Sequence, residues 1–204
     1  MKIFFDTEFT GLHKDTTLIS IGLVDENGKT FYAEFSDYDE SQCDNWIHEN
    51  VIKHLKWSTE CHLEDVSYTK NFTNIYDNDW EAYGTKEYIK TVLADWLSKY
   101  DEVELVSDCC HYDMVLFIDI FGSAWAIPAV VNPVCHDINQ DIAKHFKITE
   151  REAFDLSREG IIEDDNKKTE KALLPDDWKI IIDGDKHNSL YDAKVIKAIY
   201  KIVN

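Results

Sequence analysis

Two apolar runs, Thr17 to Val24 and Thr30 to Phe35, flank the polar stretch DENGK, whose Asn27-Gly28 pair signals a tight β-hairpin turn. A hairpin this early fixes much of what can follow. With the shorter apolar run Ile3 to Phe5 ahead of it, the first 35 residues read as a three-stranded meander. Helical spacing takes over from Tyr88 to Tyr100, where Ile89, Val92, Leu93, Trp96 and Leu97 fall on one face, and the apolar run Val103 to Ser107 follows as a strand. A helix feeding a buried strand predicts an α/β sheet. Further helices are predicted over Tyr112 to Phe121, stopped by Gly122, over Asp137 to Phe146, and over Leu190 to Val203. Residues 36–84 and 158–186 fit no simple element. They carry neither linker composition nor a repeat, so all of 1–204 reads as one domain with elaborations in those two places.

The run Ile3 to Phe5 leads straight into Asp6 and Glu8, with Thr7 between them. Residues two apart on a strand face the same side, which would set the two carboxylates roughly 7 Å apart along the backbone, a suitable grip for a divalent cation. The plainer alternative is a strand that ends at Phe5 and leaves both acids in solvent. The last helix weighs against it. At about 100° per residue, Asp192 falls inside the apolar stripe of Val195, Ile196, Ile199, Tyr200 and Val203, whereas Lys194, Lys197 and Lys201 gather on the opposite face. An ionised carboxylate on a core-facing stripe costs several kcal/mol or more unless a cation or hydrogen bonds compensate. Asp113 repeats the pattern between Leu116, Phe117 and Ile120, although its place near a helix start also suits a cap. Asp108, at the end of the preceding strand, competes with Asp113 for a metal-binding role, and the helix position favours Asp113.

His187 stands five residues before Asp192, and on one continuous helix the two would point about 140° apart. They share a site only if Asn188 or Ser189 caps the helix and His187 lies in the loop before it. A histidine there suits a general base near neutral pH; otherwise it is an exposed loop residue.

Forty acidic residues against 21 basic ones give a formal net charge of -19. Binding long nucleic acid through phosphate contacts alone needs the opposite sign, so any such partner must be held by metal ions, a local basic patch or stacking on aromatics. Phe9, Trp46 and Trp57 are candidate stacking residues, with core packing the alternative for each. Five cysteines at irregular spacings match no disulfide framework and predict free thiols in a reducing cytoplasm. Cys61-His62, Cys110-His111 and Cys135-His136 lack the paired-ligand spacing of structural zinc. Neither a membrane span nor a secretory leader is expected from the apolar pattern.

The segments FDTEFTG, CCHYDMVLF and HNSLYDA, carrying Asp6, Glu8, Asp113, His187 and Asp192, resemble in order and separation the three motifs of the DEDDh exonucleases. Within that superfamily the chain is most similar to the small bacterial and phage exoribonuclease group related to RNase T, through NWIHENVIKHL (residues 45–55) and PVCHDINQ (residues 133–140). The resemblance implies a ribonuclease H-like fold, a mixed sheet with helices on both faces. It also implies two Mg²⁺ or Mn²⁺ ions held by Asp6, Glu8, Asp113 and Asp192, with His187 accepting the proton of the attacking water. Nucleotides would leave a 3′ end as 5′-mononucleotides, from RNA or short single-stranded nucleic acid, in a bacterial or phage-infected cytoplasm. Thr7, Phe9, Thr10 and Trp46 become candidate substrate contacts, and a homodimer is among the assemblies implied. Cys109, Cys110 and His111 depart from the polar or small residues of many relatives. Two competing readings are a DNA-trimming exonuclease with the same centre and an acidic binding protein that keeps the fold as a scaffold.

Overall fold

The computed structural model of the chain describes residues 1–57, 71–167 and 179–204. Seven strands form one mixed sheet: β1 (Lys2–Phe9), β2 (Leu18–Asp25), β3 (Thr30–Phe35), β4 (Phe72–Tyr76), β5 (Asp79–Gly84), β6 (Val103–Ser107) and β7 (Val131–Asp137). Their spatial order is β4-β5-β3-β2-β1-β6-β7. β1, β2 and β3 pair antiparallel as the meander predicts, and β6 joins β1 in parallel with β7 beyond it. β5 pairs parallel to β3 and antiparallel to β4, so part of the 36–84 stretch extends the sheet.

The helices are α1 (Asn45–Asn50), α2 (Lys86–Leu97), α3 (Cys110–Phe121), α4 (Ile138–Phe146), α5 (Glu150–Asp155), α6 (Arg158–Lys167) and α7 (Ser189–Val203). Strand alternation divides the core. Ile3, Phe5, Leu23 and Phe31 pack under α2 and α3 on one face, whereas Phe4, Val24 and Val106 pack under α4, α6 and α7 on the other. α3 stops where expected, at Gly122, whose φ of 81° favours a residue without a side chain. Among the described residues no helix is long and apolar enough to cross a membrane.

One boundary differs from the sequence expectation in a way that matters. β1 does not end at Phe5 but runs on to Phe9, because Asp6, Thr7 and Glu8 stay paired with Gly22, Ile21 and Ser20 of β2. The alternative in which both acids trail into solvent is thereby excluded. Cys61 and His62 lie outside the described residues.

Candidate active site

Parity along β1 sends Phe4, Asp6 and Glu8 to the α7 face and Ile3, Phe5 and Thr7 to the α3 face. The two faces meet at the end of this strand. Pairing with β6 stops at Phe4 and Val106, so the N–H of Thr7 is left for α3, and Asp113 takes it: Thr7 N donates to Asp113 Oδ1 at 3.2 Å and Thr7 Oγ1 at 2.6 Å. Ser107 Oγ, at the end of β6, donates to Asp113 Oδ2. Asp113 is only 1% exposed, and its carboxylate is held by two strands rather than capping its own helix.

α7 delivers the remaining groups. Asn188 caps it by accepting from the N–H groups of Leu190 and Tyr191, and Asn188 Nδ2 donates to the Tyr32 hydroxyl and the His54 carbonyl. The helix start lies directly on Gly22 of β2, where a Cβ would sit 2.3 to 2.4 Å from backbone atoms of Ser189 and Leu190. Only glycine permits that approach. Beside it, the hydroxyls of Ser20 and Ser189 are 3.0 Å apart in the buried interface. His187 precedes the cap in the left-handed region, φ 64°, and its N–H donates to Asp192 Oδ2 at 2.8 Å. The loop placement required for a shared site is therefore present.

The result is two adjoining groups of potential ligands. Glu8, His187 and Asp192 each offer an atom within 4.8 Å of the others, as do Asp6, Asp108 and Asp113. Burial raises Asp6 and Glu8 well above the usual carboxylate range, and the neighbouring acids add to it. Asp113 is raised to about 7 by burial, against the opposing hydrogen bonds from Ser107 and Thr7. Asp192 is also raised to about 7, mainly by burial. Carboxylates forced together with this little compensation are the donor chemistry of a divalent cation site. His187 is shifted the other way, below its ordinary value, by burial and then by the positive charge of Lys186. The groups open into a cleft of about 380 Å³ whose far wall includes Phe154, Leu156 and Arg158.

The 3'-5' exoribonuclease Rv2179c-like domain matches residues 1–203 of the chain. The chain belongs to that family. It is a 3′-5′ exonuclease, a phosphodiester hydrolase. Two curated relatives, the 3'-5' exoribonucleases Rv2179c and MT2234.1 of Mycobacterium tuberculosis strains H37Rv and CDC 1551, are each 24% identical over 142 residues, covering 69% of this chain and 73% of theirs. Among solved structures, the nuclease domain of 3'hExo, a DEDDh family member bound to rAMP, superposes with a TM-score of 0.60 at 13% identity, covering 98% of this chain and 88% of that one. A structure of 3'-end recognition of the histone mRNA stem-loop by 3'-exonuclease gives 0.58 at 12% identity, covering 99% and 63%. Both share the ribonuclease H-like architecture expected from the motifs.

In this exoribonuclease-family chain the five expected catalytic residues converge, and Asp108 joins them rather than standing apart. Asp108 is, however, engaged elsewhere: its Oδ2 accepts from Arg158 Nε at 2.9 Å. Arg158 also donates to Asn139 Oδ1 and to the carbonyls of Ala153 and Leu156, which fixes the far wall of the cleft. The candidate substrate contacts divide. Thr7 and Thr10 are buried, Thr7 bonded to Asp113 and Thr10 to Gln42 and the Thr17 N–H, while Thr7 lines the cleft and Thr10 a second pocket. Phe9 and Trp46 line the same second pocket beside Glu8. Phe9 stacks on Tyr112 and Trp46 meets the His187 ring edge-on at 5.1 Å while 52% exposed. Trp57 packs among Tyr32, Phe72 and Tyr83 and lines neither pocket. Gly22 and Arg158 escaped the sequence reading because their roles depend on partners far away in the chain, and Ser107 because a strand-end serine carries no local mark of a partner.

Proposed function

We propose that the protein removes nucleotides one at a time from the 3′ end of single-stranded RNA or short oligoribonucleotides, releasing 5′-mononucleotides. The convergence of Asp6, Glu8, Asp113, Asp192 and His187 at the end of β1 carries this reading. Asp6, Asp113, Glu8 and Asp192 would hold two Mg²⁺ or Mn²⁺ ions, which supply activation of the attacking water and stabilisation of the leaving 3′ oxygen. His187 accepts the proton of that water, and its lowered pKa keeps the imidazole in the free-base form at neutral pH. The hydrogen bond from its own N–H to Asp192 fixes the loop that carries the ring. The terminal base seats in the apolar pocket between Phe9 and Trp46, and stacking offsets what a chain of net charge -19 cannot gain from phosphate attraction. Lys186 and Arg158 are the cations lining the cleft among the described residues. Free thiols at Cys43, Cys109, Cys110 and Cys135 support a cytoplasmic setting.

A non-catalytic acidic scaffold has no use for carboxylates packed against their own repulsion beside a histidine. Matched single-stranded RNA and DNA oligomers ending in the same base test the substrate. The expected result is Mg²⁺-dependent release of 5′-mononucleotides from RNA, faster than from DNA and abolished by chelator. Equal or faster digestion of DNA would favour the trimming alternative, and products longer than one nucleotide would sink exonucleolytic cutting.

A further inference from the structure

Phosphodiester cleavage uses none of the cysteines, yet two of them meet beside the centre. The Sγ atoms of Cys110, the first residue of α3, and Cys135, on β7, are 3.1 Å apart. That is closer than the roughly 3.5–4.0 Å of ordinary non-bonded contact between heavy atoms. Cys110 Sγ also lies 3.3 Å from the His136 carbonyl oxygen, and both residues are half-buried rather than sealed in the core. We propose that Cys110 and Cys135 form a reversible intramolecular disulfide, a redox modification site that lowers nuclease activity when it closes.

The partners have distinct roles. Cys110 sits at the positive end of a twelve-residue helix, which favours its thiolate and makes it the attacking partner. Cys135 is raised by its hydrogen bond with Cys110 and by burial. Cys109, one residue earlier, lies beside the His111 ring instead, its Sγ 4.0 Å from Nε2. The oxidant is a low-molecular-weight disulfide of the glutathione type. The Cys110 thiolate attacks one of its sulfurs, forming a mixed disulfide and releasing one small thiol. Cys135 then loses its proton to solvent and displaces the second small thiol. Two protein thiols are oxidised by two electrons, and one small disulfide is reduced to two thiols.

Closure draws the sulfurs from 3.1 Å to about 2.05 Å, a movement of about 1 Å shared by β7 and the first turn of α3. That turn carries Asp113 three residues on. It is wired to the same clasp, since the Cys109 N–H donates to Ser107 Oγ, which itself donates to Asp113. Oxidation therefore disturbs the alignment of a carboxylate that depends on those hydrogen bonds.

The test incubates the purified protein with Mg²⁺ and oxidised glutathione, alkylates the remaining thiols under denaturing conditions and maps the linked peptides. The expected result is two fewer alkylated cysteines, a Cys110–Cys135 linkage, and a loss of activity on single-stranded RNA of about tenfold or more, restored by dithiothreitol. Cys135→Ser should trap a glutathione adduct on Cys110. Cys110→Ser/Cys135→Ser should show the same activity before and after treatment, and Cys109→Ser should remain sensitive. An unchanged thiol count, or linkage of any other pair, would overturn the site. A mapped Cys110–Cys135 disulfide with unaltered activity would overturn its regulatory role. The regulatory half rests on the nuclease reading, but thiol count and mapping are read without substrate, so the two fail separately.

Discussion

Asp113 and Asp192 both bring a helix carboxylate to the end of β1, yet Asp113 accepts three hydrogen bonds from β1 and the end of β6, whereas Asp192 accepts the N–H of His187 in its own approach loop. One is clamped by the sheet. The other is placed by how α7 docks on Gly22 and by the Asn188 cap. Geometry at Asp113 is thus set by direct polar contacts, and geometry at His187 and Asp192, which meet Glu8 of β1, by the seating of a whole helix. If both halves hold ions, the first half should tolerate small shifts elsewhere in the chain and the second should not.

The largest effects test whether the halves are equally necessary. Asp113→Asn and Asp192→Asn should each lower kcat/KM by about 10³-fold or more, because each removes a charge from a site whose metal supplies several kcal/mol of transition-state stabilisation. Circular dichroism should show both variants folded. Near-normal turnover by Asp192→Asn would remove the α7 half from the centre.

Intermediate effects separate clamp from docking. Gly22→Ala forces the start of α7 off the sheet, and a displacement of about 1 Å at reacting groups is worth about 100-fold in rate. Thr7→Val removes one clasp hydrogen bond but leaves the Thr7 N–H and Ser107 on Asp113, so a loss of about tenfold with a raised Mg²⁺ requirement is expected. Mg²⁺ titrations of activity for the two variants read the difference. A Thr7→Val loss exceeding that of Gly22→Ala would reverse the assignment of rigid and docked halves.

The same division explains what could be read from the sequence. Asp192 was legible because an acid inside an apolar helical stripe violates a periodicity visible in fifteen consecutive residues. The placement of His187 followed from the angular conflict with Asp192 and the nearby cap. The meander, β6 and the apolar helices were legible for the same local reason. β4 and β7 were not, because the half-exposed edge strands Phe72–Tyr76 and Val131–Asp137 lack a clean apolar alternation, nor was β5, an inner strand whose six residues include Asp79 and Glu81. Gly22 was hidden because its requirement comes from Ser189 and Leu190, far along the chain, and Ser107 was hidden because a strand-end serine looks ordinary until Asp113 is placed beside it. Arg158 fell in a charged stretch where nothing local separates an ion-paired arginine from a solvated one.

The last effect is thermodynamic, and its sign distinguishes a metal site from an ordinary ion-pair cluster. Asp113 and Asp192 are each raised from 3.8 to about 7, so the folded chain keeps protons that the unfolded chain has released. Stability of the chelator-treated protein should therefore be fully present below the unfolded carboxylate range near pH 4. It should fall as pH rises toward 7 and level off above. Asp39 and Glu152 have lowered pKa values and act oppositely, but they are exposed and weaken the fold only as pH drops through the acid range. The rise to about 7 corresponds to roughly 4 kcal/mol at Asp113, an upper bound that would move Tm by on the order of 10 °C between pH 5 and pH 7.5. Saturating Mg²⁺ binds the deprotonated carboxylates and should reverse the slope, stabilising most at the alkaline end. Asp192→Asn should flatten the metal-free slope while Asp113 still titrates. Scanning calorimetry at pH 5, 6, 7 and 7.5, with chelator and with Mg²⁺, checks each step; a metal-free Tm that rises over that range would mean the acids are already compensated within the protein.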